Sequence, residues 1–218
     1  MGGMRKTVAV LFAGLALTLA GATTRAQQAP AAADLAGRIQ AHYNSVADFT
    51  ADFVATFKYQ LTHQVSVERG TLKVKKPSRM RWTFTKPDRK EFVADGTKLF
   101  TYFPADRVGT EHLLTETGDD SLALLFLAGK GDLTRDFTAS MPPEQPANEW
   151  QLVLSPKKRQ DEYQTLTLGV RRDSLALTGL VIVDEQGTQS YQFTNFKTNT
   201  GLKDSDFNFK LPPGTVRR

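Results

Sequence analysis

The chain contains no cysteine. That excludes disulfides, thiol nucleophiles and cysteine-ligated zinc. It also excludes lipidation in the manner of a bacterial lipoprotein, which needs a cysteine at its leader cleavage site. Histidine is nearly as scarce. His42, His63 and His112 show no metal-ligand spacing to one another or to a carboxylate motif. G-x-S-x-G and glycine-rich phosphate loops are missing too. Asp119-Asp120 reads as a helix cap, and Lys157-Lys158-Arg159 as a solvated hairpin loop. No residue set here points to catalysis, so no enzyme activity, cofactor or metal is expected.

One long apolar run is present, and it lies at the N-terminus. Arg5 and Lys6 precede Thr7–Ala22, which carries no charge, and Ala20-Gly21-Ala22 and Thr24-Arg25-Ala26 are small-residue cleavage patterns. This describes a secretory signal peptide over residues 1–26, cleaved after 22 or 26, followed by a linker over 27–33; the alternative is an N-terminal membrane anchor, for which the run is on the short side. Export without a lipid anchor implies a chain that is soluble after export and not embedded in a membrane. The formal net charge is +5, and three of those charges (Arg5, Lys6 and Arg25) leave with the leader, so +2 remains. So small a surplus is no case for a nucleic-acid partner.

The remaining residues, 34–218, read as one domain. Asp34 is placed to cap a helix running to about Val46, in which Leu35, Ile39, Tyr43 and Val46 share a face. From Phe49 the period changes to two. Phe49, Ala51, Phe53, Ala55, Phe57 and Tyr59 alternate with mostly polar residues, as in a half-buried strand. Val65 and Val67 continue in a second strand, and a phase shift to Leu72 and Val74 suggests a bulge or bend at Gly70. Met80, Trp82 and Phe84 mark a third strand, and Glu91–Ala94, Asp95-Gly96 and Lys98–Phe103 a hairpin. Trp150–Leu154, Tyr163–Val170 and a hairpin around Gln186-Gly187 follow, and Phe207, Phe209 and Leu211 close the chain. Short turns and regular strands predict a mainly β fold: one curved antiparallel sheet, nearly barrel-like.

Many aromatics keep the sheet's period: Phe53, Phe57, Trp82, Phe84, Phe100, Tyr102, Tyr191 and Phe193, with Met80 among them. Aromatics on one face of a sheet ordinarily fill a core. Yet the sequence offers few elements to cover so large a face. Either the sheet closes on itself, or the face is incompletely covered and binds something. A second segment, Asp119–Ala128, bears on this. Leu122–Ala128 has no polar side chain, so a helix there is apolar on every side. It is either a fixed core helix or a plug in the mouth of a concave sheet, hinged at Gly118, Gly129 and Gly131.

Four stretches resemble a known family. "VKKPSRMRWTF" (Val74–Phe84), "VADGTKLFTYFP" (Val93–Pro104), "SLALLFLAGKGDLTRDF" (Ser121–Phe137) and "DFNFKLPPGT" (Asp206–Thr215) are similar to the periplasmic outer-membrane lipoprotein carriers, the LolA family. The resemblance runs in the family's order from about Leu35 to Val216. It implies an incomplete (half) barrel with an α-helical lid. It further implies a monomeric chaperone for triacylated lipoproteins, fed by an inner-membrane ABC lipoprotein-extraction complex and emptied by an outer-membrane lipoprotein acceptor. The acyl-chain cavity would be lined by Phe53, Phe57, Met80, Trp82, Phe84, Phe100 and Tyr102, and the lid formed by Leu122, Leu125, Phe126 and Leu127. The family's latch arginine before the proline is replaced by Lys76, with Arg79 and Arg81 as further latch candidates. Competing readings are a general lipid or glycolipid carrier and a lipid-sensing regulator of envelope stress with a similar fold.

Overall fold

A computed structural model describes residues 30–114, 131–158 and 163–217. The first element is helix α1 (Ala32–Ser45). It begins two residues before the expected cap. Ala31 occupies the N-cap without a side-chain bond, and Asp34 sits inside the first turn. Alanine's high helix propensity carries the helix back into the expected linker, and Asp34 there faces the positive end of the helix dipole. Leu35, Ala36 and Ile39 form the buried stripe, as their spacing requires.

Among the described residues twelve strands form a single sheet: β1 (Asp48–Tyr59), β2 (Val65–Lys75), β3 (Arg79–Lys86), β4 (Lys90–Asp95), β5 (Lys98–Phe103), β6 (Val108–Leu113), β7 (Phe137–Ser140), β8 (Glu149–Pro156), β9 (Thr165–Arg171), β10 (Leu177–Val183), β11 (Gly187–Thr198) and β12 (Val216–Arg217). A one-turn helix, α2 (Leu133–Asp136), precedes β7, and a 3-10 turn spans Asp204–Phe207. The strand order is β12-β6-β5-β4-β3-β2-β1-β11-β10-β9-β8-β7. Neighbours are antiparallel except β12, which runs parallel to β6. The margins β12 and β7 do not pair, so the sheet is not closed into a barrel.

Strand β1 joins the two halves by pairing with both β2 and β11. Its alternation is the one the sequence predicts, with Phe49, Ala51, Phe53 and Ala55 buried. Register carries this face across the sheet. Ala51 pairs with Leu72, Leu72 with Trp82, and Trp82 with Phe92. In the other direction Ala55 pairs with Tyr191, Tyr191 with Leu180, Leu180 with Leu168 and Leu168 with Leu152. The buried Asp48 pins this seam at one end, accepting bonds from Thr200 N (2.6 Å), Thr200 Oγ1 (2.7 Å) and Gly201 N (3.2 Å).

The expected phase switch at Gly70 does not occur. β2 pairs with β1 without interruption, which leaves Val65 and Val67 on the outer face, 59% and 47% exposed, and puts Leu72 and Val74 inside. The irregularity lies across from the glycine: Arg69 pairs with Lys86 but Gly70 with Phe84. Glycine is required because a Cβ there would stand 2.1 Å from Thr83 O and 2.8 Å from Phe53 Cζ. The Asp95-Gly96 hairpin forms as expected. Gly96 takes φ +101°, and Asp95 Oδ1 accepts from Thr97 N and Lys98 N at 2.8 Å.

The outer face of β2–β6 has a cover of its own. Lys75 and Arg79 pair with Asp204 at 2.6 and 3.3 Å, and Lys73 with Asp206 at 3.5 Å. Phe207 is fully buried, and the Phe209 ring lies 5.7 Å from Phe100 and 6.2 Å from Tyr102. Val216 then joins Val108 on β6. The residues after β11 thus cross the sheet as a strap rather than adding a full strand.

Candidate functional site

The inner face is a connected field of rings. Phe53 meets Trp82 and Phe84 edge-on, each with centroids 4.9 Å apart. Trp82 lies 5.2 Å from Tyr191 and 6.3 Å from Phe193, Phe84 lies 5.4 Å from Phe92, and Phe92 lies 6.2 Å from Phe103. Edge and tilted contacts of this kind are the favoured aromatic geometries. Burial pushes the Tyr191 phenol up from its ordinary range, with the charges of Glu68 and Asp184 acting in the same direction.

Five of the seven cavity candidates share this face: Phe53, Phe57, Met80, Trp82 and Phe84. Phe100 and Tyr102 do not. They pair with Val93 and Glu91, opposite in phase to Phe92 and Ala94, and pack under Phe209. The inward residues of β5 are Leu99, Thr101 and Phe103. The strap is the physical reason: with both faces covered, aromatics occur in both phases. Residues the sequence reading passed over but the register adds to the field are Phe92, Leu168 and Leu180. The lid candidates Leu122, Leu125, Phe126 and Leu127 lie outside the described residues.

Helix α1 lies against the β7–β9 end of the field. Between them is a narrow apolar pocket lined by Ile39, Tyr43, Val46, Leu133, Leu168, Val170, Leu177 and Phe196 among others. Two contacts fix the helix. Gln40 Oε1 accepts from Leu133 N at 2.8 Å, tying α1 to α2. Asp132 caps α2, accepting from Thr134 N and Arg135 N at 2.8 Å, and its carboxyl is held low chiefly by the Thr134 hydroxyl. At the other end Lys76 Nζ donates to Tyr43 O and stands 4.1 Å from the Tyr43 ring centre. Tyr43 O also accepts from Val46 N at 3.1 Å, and a cation added at a carbonyl of the last helical turn is favourable. Burial lowers the Lys76 pKa. Arg79 and Arg81 serve elsewhere, on the outer face. Arg79 pairs with Asp204, and Arg81 with Glu91 (2.6 Å) and Asp206 O (3.2 Å).

At the hairpin end the face turns polar. Phe57 and Gln189 border a cleft that opens to solvent. Nearby, Lys90 Nζ pairs with Glu68 Oε1 at 2.7 Å and lies 4.4 Å from the Phe84 ring centre. Among the described residues no group of three or more His, Asp or Glu side chains could hold a metal. Nor is any helix there long and apolar enough to cross a membrane.

An open antiparallel sheet with a greasy inner face and a helix across one end defines a single-sheet, half-barrel class of architecture. The family model for the outer membrane lipoprotein carrier protein LolA matches residues 44–210, and the chain belongs to that family. It is 30% identical over 173 residues to the outer-membrane lipoprotein carrier protein of Albidiferax ferrireducens, covering 77% of this chain and 81% of the relative. It is also 30% identical over 179 residues to the carrier protein of Legionella pneumophila strain Paris, covering 81% and 85%. In fold it is similar to an uncharacterized conserved protein of Thermus thermophilus, with TM-score 0.53 at 14% identity over 84% of this chain and 99% of that one.

Proposed function

We propose that the chain is exported behind the leader in its first 26 residues and works in the periplasm. There it binds the acyl chains of triacylated lipoproteins on the inner face and carries them from the inner to the outer membrane. It receives cargo from an inner-membrane ABC extraction complex and passes it to an outer-membrane acceptor, with no chemical step of its own. The observation that carries this reading is the continuous apolar field from Phe92 across β1 to Leu152 on a sheet that does not close. An acyl chain gains about 0.8 kcal/mol per buried methylene, so a chain of ~16 carbons prefers such a surface to water by roughly 12 kcal/mol. A soluble carrier must match much of that and still release its cargo. Phe53, Phe57, Met80, Trp82 and Phe84 are the proposed chain contacts, and Lys76 the residue that holds α1 across the β7–β9 end of the same face.

The test is release of lipoproteins from spheroplasts on adding the purified mature protein. Labelled lipoprotein should leave the inner membrane in a one-to-one complex with the added protein. Cargo that stays in the membrane at saturating protein, or a co-purified glycolipid or free fatty acid in place of lipoprotein by mass spectrometry, would overturn the assignment.

A further inference from the structure

The inner face is not uniformly apolar. Two polar groups on it are buried and have no hydrogen-bond partner among the described residues: Glu68 Oε2 and Trp82 Nε1. Trp82 is 1% exposed, and the Glu68 and Lys90 side chains 17% and 19%. Lys90 occupies the other carboxylate oxygen and is itself ringed by Phe84, Phe92 and Phe57 at 4.4, 5.7 and 5.8 Å.

Such groups are expensive. A buried polar atom that gives up water and gains no partner destabilises the fold. A desolvated ion pair is usually no better than apolar side chains of the same volume. Beside the Ala55, Leu72, Phe53 and Phe84 side chains that share this part of the face, structure alone does not call for them. They do form a matched set: Glu68 Oε2 accepts a hydrogen bond, and Trp82 Nε1 donates one. Hydrocarbon satisfies neither. A ligand with an amide N–H and an ester carbonyl at the head of its chains satisfies both.

We infer that Glu68 and Trp82 form a polar reading site within the acyl-chain surface, taking respectively the amide N–H and an ester carbonyl where the chains join the cargo. This rests on the carrier reading above and deepens it. The rings hold hydrocarbon without regard to its source. The two orphaned groups distinguish an acylated peptide from a bare fatty acyl ester. Lys90 is a positioning residue: it neutralises the carboxylate and fixes its orientation through Oε1, leaving the buried Oε2 without a partner among the described residues.

The experiment displaces a fluorescent apolar dye from the purified mature protein with two probes. One is a synthetic triacylated cysteinyl peptide, carrying amide- and ester-linked chains; the other is methyl palmitate, which has an ester and no amide. Glu68→Gln presents an amide in place of the carboxylate. It should weaken the lipopeptide about tenfold and leave methyl palmitate unchanged, the loss expected for one hydrogen bond to a charged group. Trp82→Phe keeps the ring but not the N–H, and should weaken both probes by about fivefold. If Glu68→Gln does not fold, by near-ultraviolet circular dichroism, the Glu68→Gln/Lys90→Met double variant, which leaves no lone buried charge, must show the same lipopeptide-to-ester ratio. Equal effects of the Glu68 change on both probes, or none on either, overturn the reading site and leave the carrier standing. Failure of the unaltered protein to bind either probe overturns the carrier itself.

Discussion

Lys76, just beyond β2, reaches the carbonyl of Tyr43 in the last turn of α1 and covers the Tyr43 ring. One side chain thus ties the helix to the inner field. Lys76→Met should lower stability by about 1 kcal/mol, and Lys76→Arg should restore most of it. Equilibrium urea unfolding measures both. Burial holds the Lys76 pKa below that of an ordinary lysine, so the folded protein binds this proton less tightly than the unfolded chain does. The Lys76 contribution to stability therefore rises with pH across the interval below ~10.4. The wild type should gain on Lys76→Met as the buffer becomes alkaline; a gap that narrows there contradicts the burial.

Gly70 allows the Phe53 ring to lie where a methyl group would stand. Gly70→Ala places carbon 2.1 Å from a backbone oxygen that cannot swing away. Overpacking of this kind costs about 2 kcal/mol. Thermal melting should show the loss, and the near-ultraviolet signal of the Phe53–Trp82 pair should change with it.

Phe57 stands at the open end of the ring field, 6.1 Å from Tyr191 and only half-buried. Phe57→Glu is therefore compatible with folding. It should weaken the lipopeptide and methyl palmitate alike, each about tenfold, because it removes apolar contact rather than a hydrogen bond. Dye displacement by the two probes supplies the readout.

Asp204 anchors the C-terminal strap through Lys75 and Arg79. The Lys75 hydrogen bond, with the nearby positive charges, holds its carboxyl below the usual range. A depressed carboxylate stabilises the fold above its unfolded pKa of ~3.9, and that benefit fades as pH falls through the folded value. Asp204→Asn should therefore melt lower than wild type at neutral pH, with the two curves converging as the pH falls below about 4.

The alternation of Phe49 to Phe57 and the Asp-Gly turn were readable because one local period and one backbone requirement decide them. Phe100 and Tyr102 were not, because their phase matches either face, and only the distant Phe209 settles which. Val65 and Val67 misled in a similar way. Two valines in alternation signal a strand, but nothing in them reports that the buried side is the one with Ser66 and Glu68. The helix start shifted because the alanines before Asp34 sustain a helix without a capping side chain. The α1 pocket draws on α1, α2, β9, β10 and β11, and no local pattern encodes such a meeting. Glu68 and Lys90 are 22 positions apart and become partners only through the β2–β3–β4 register.

A sheet left unclosed keeps two raw margins, and each could recruit a strand from another molecule. Among the described residues those margins are the shortest strands of all, Phe137–Ser140 and Val216–Arg217. Short edge strands of this kind blunt edge-to-edge pairing. The rims of an open sheet are thereby shielded without closing it.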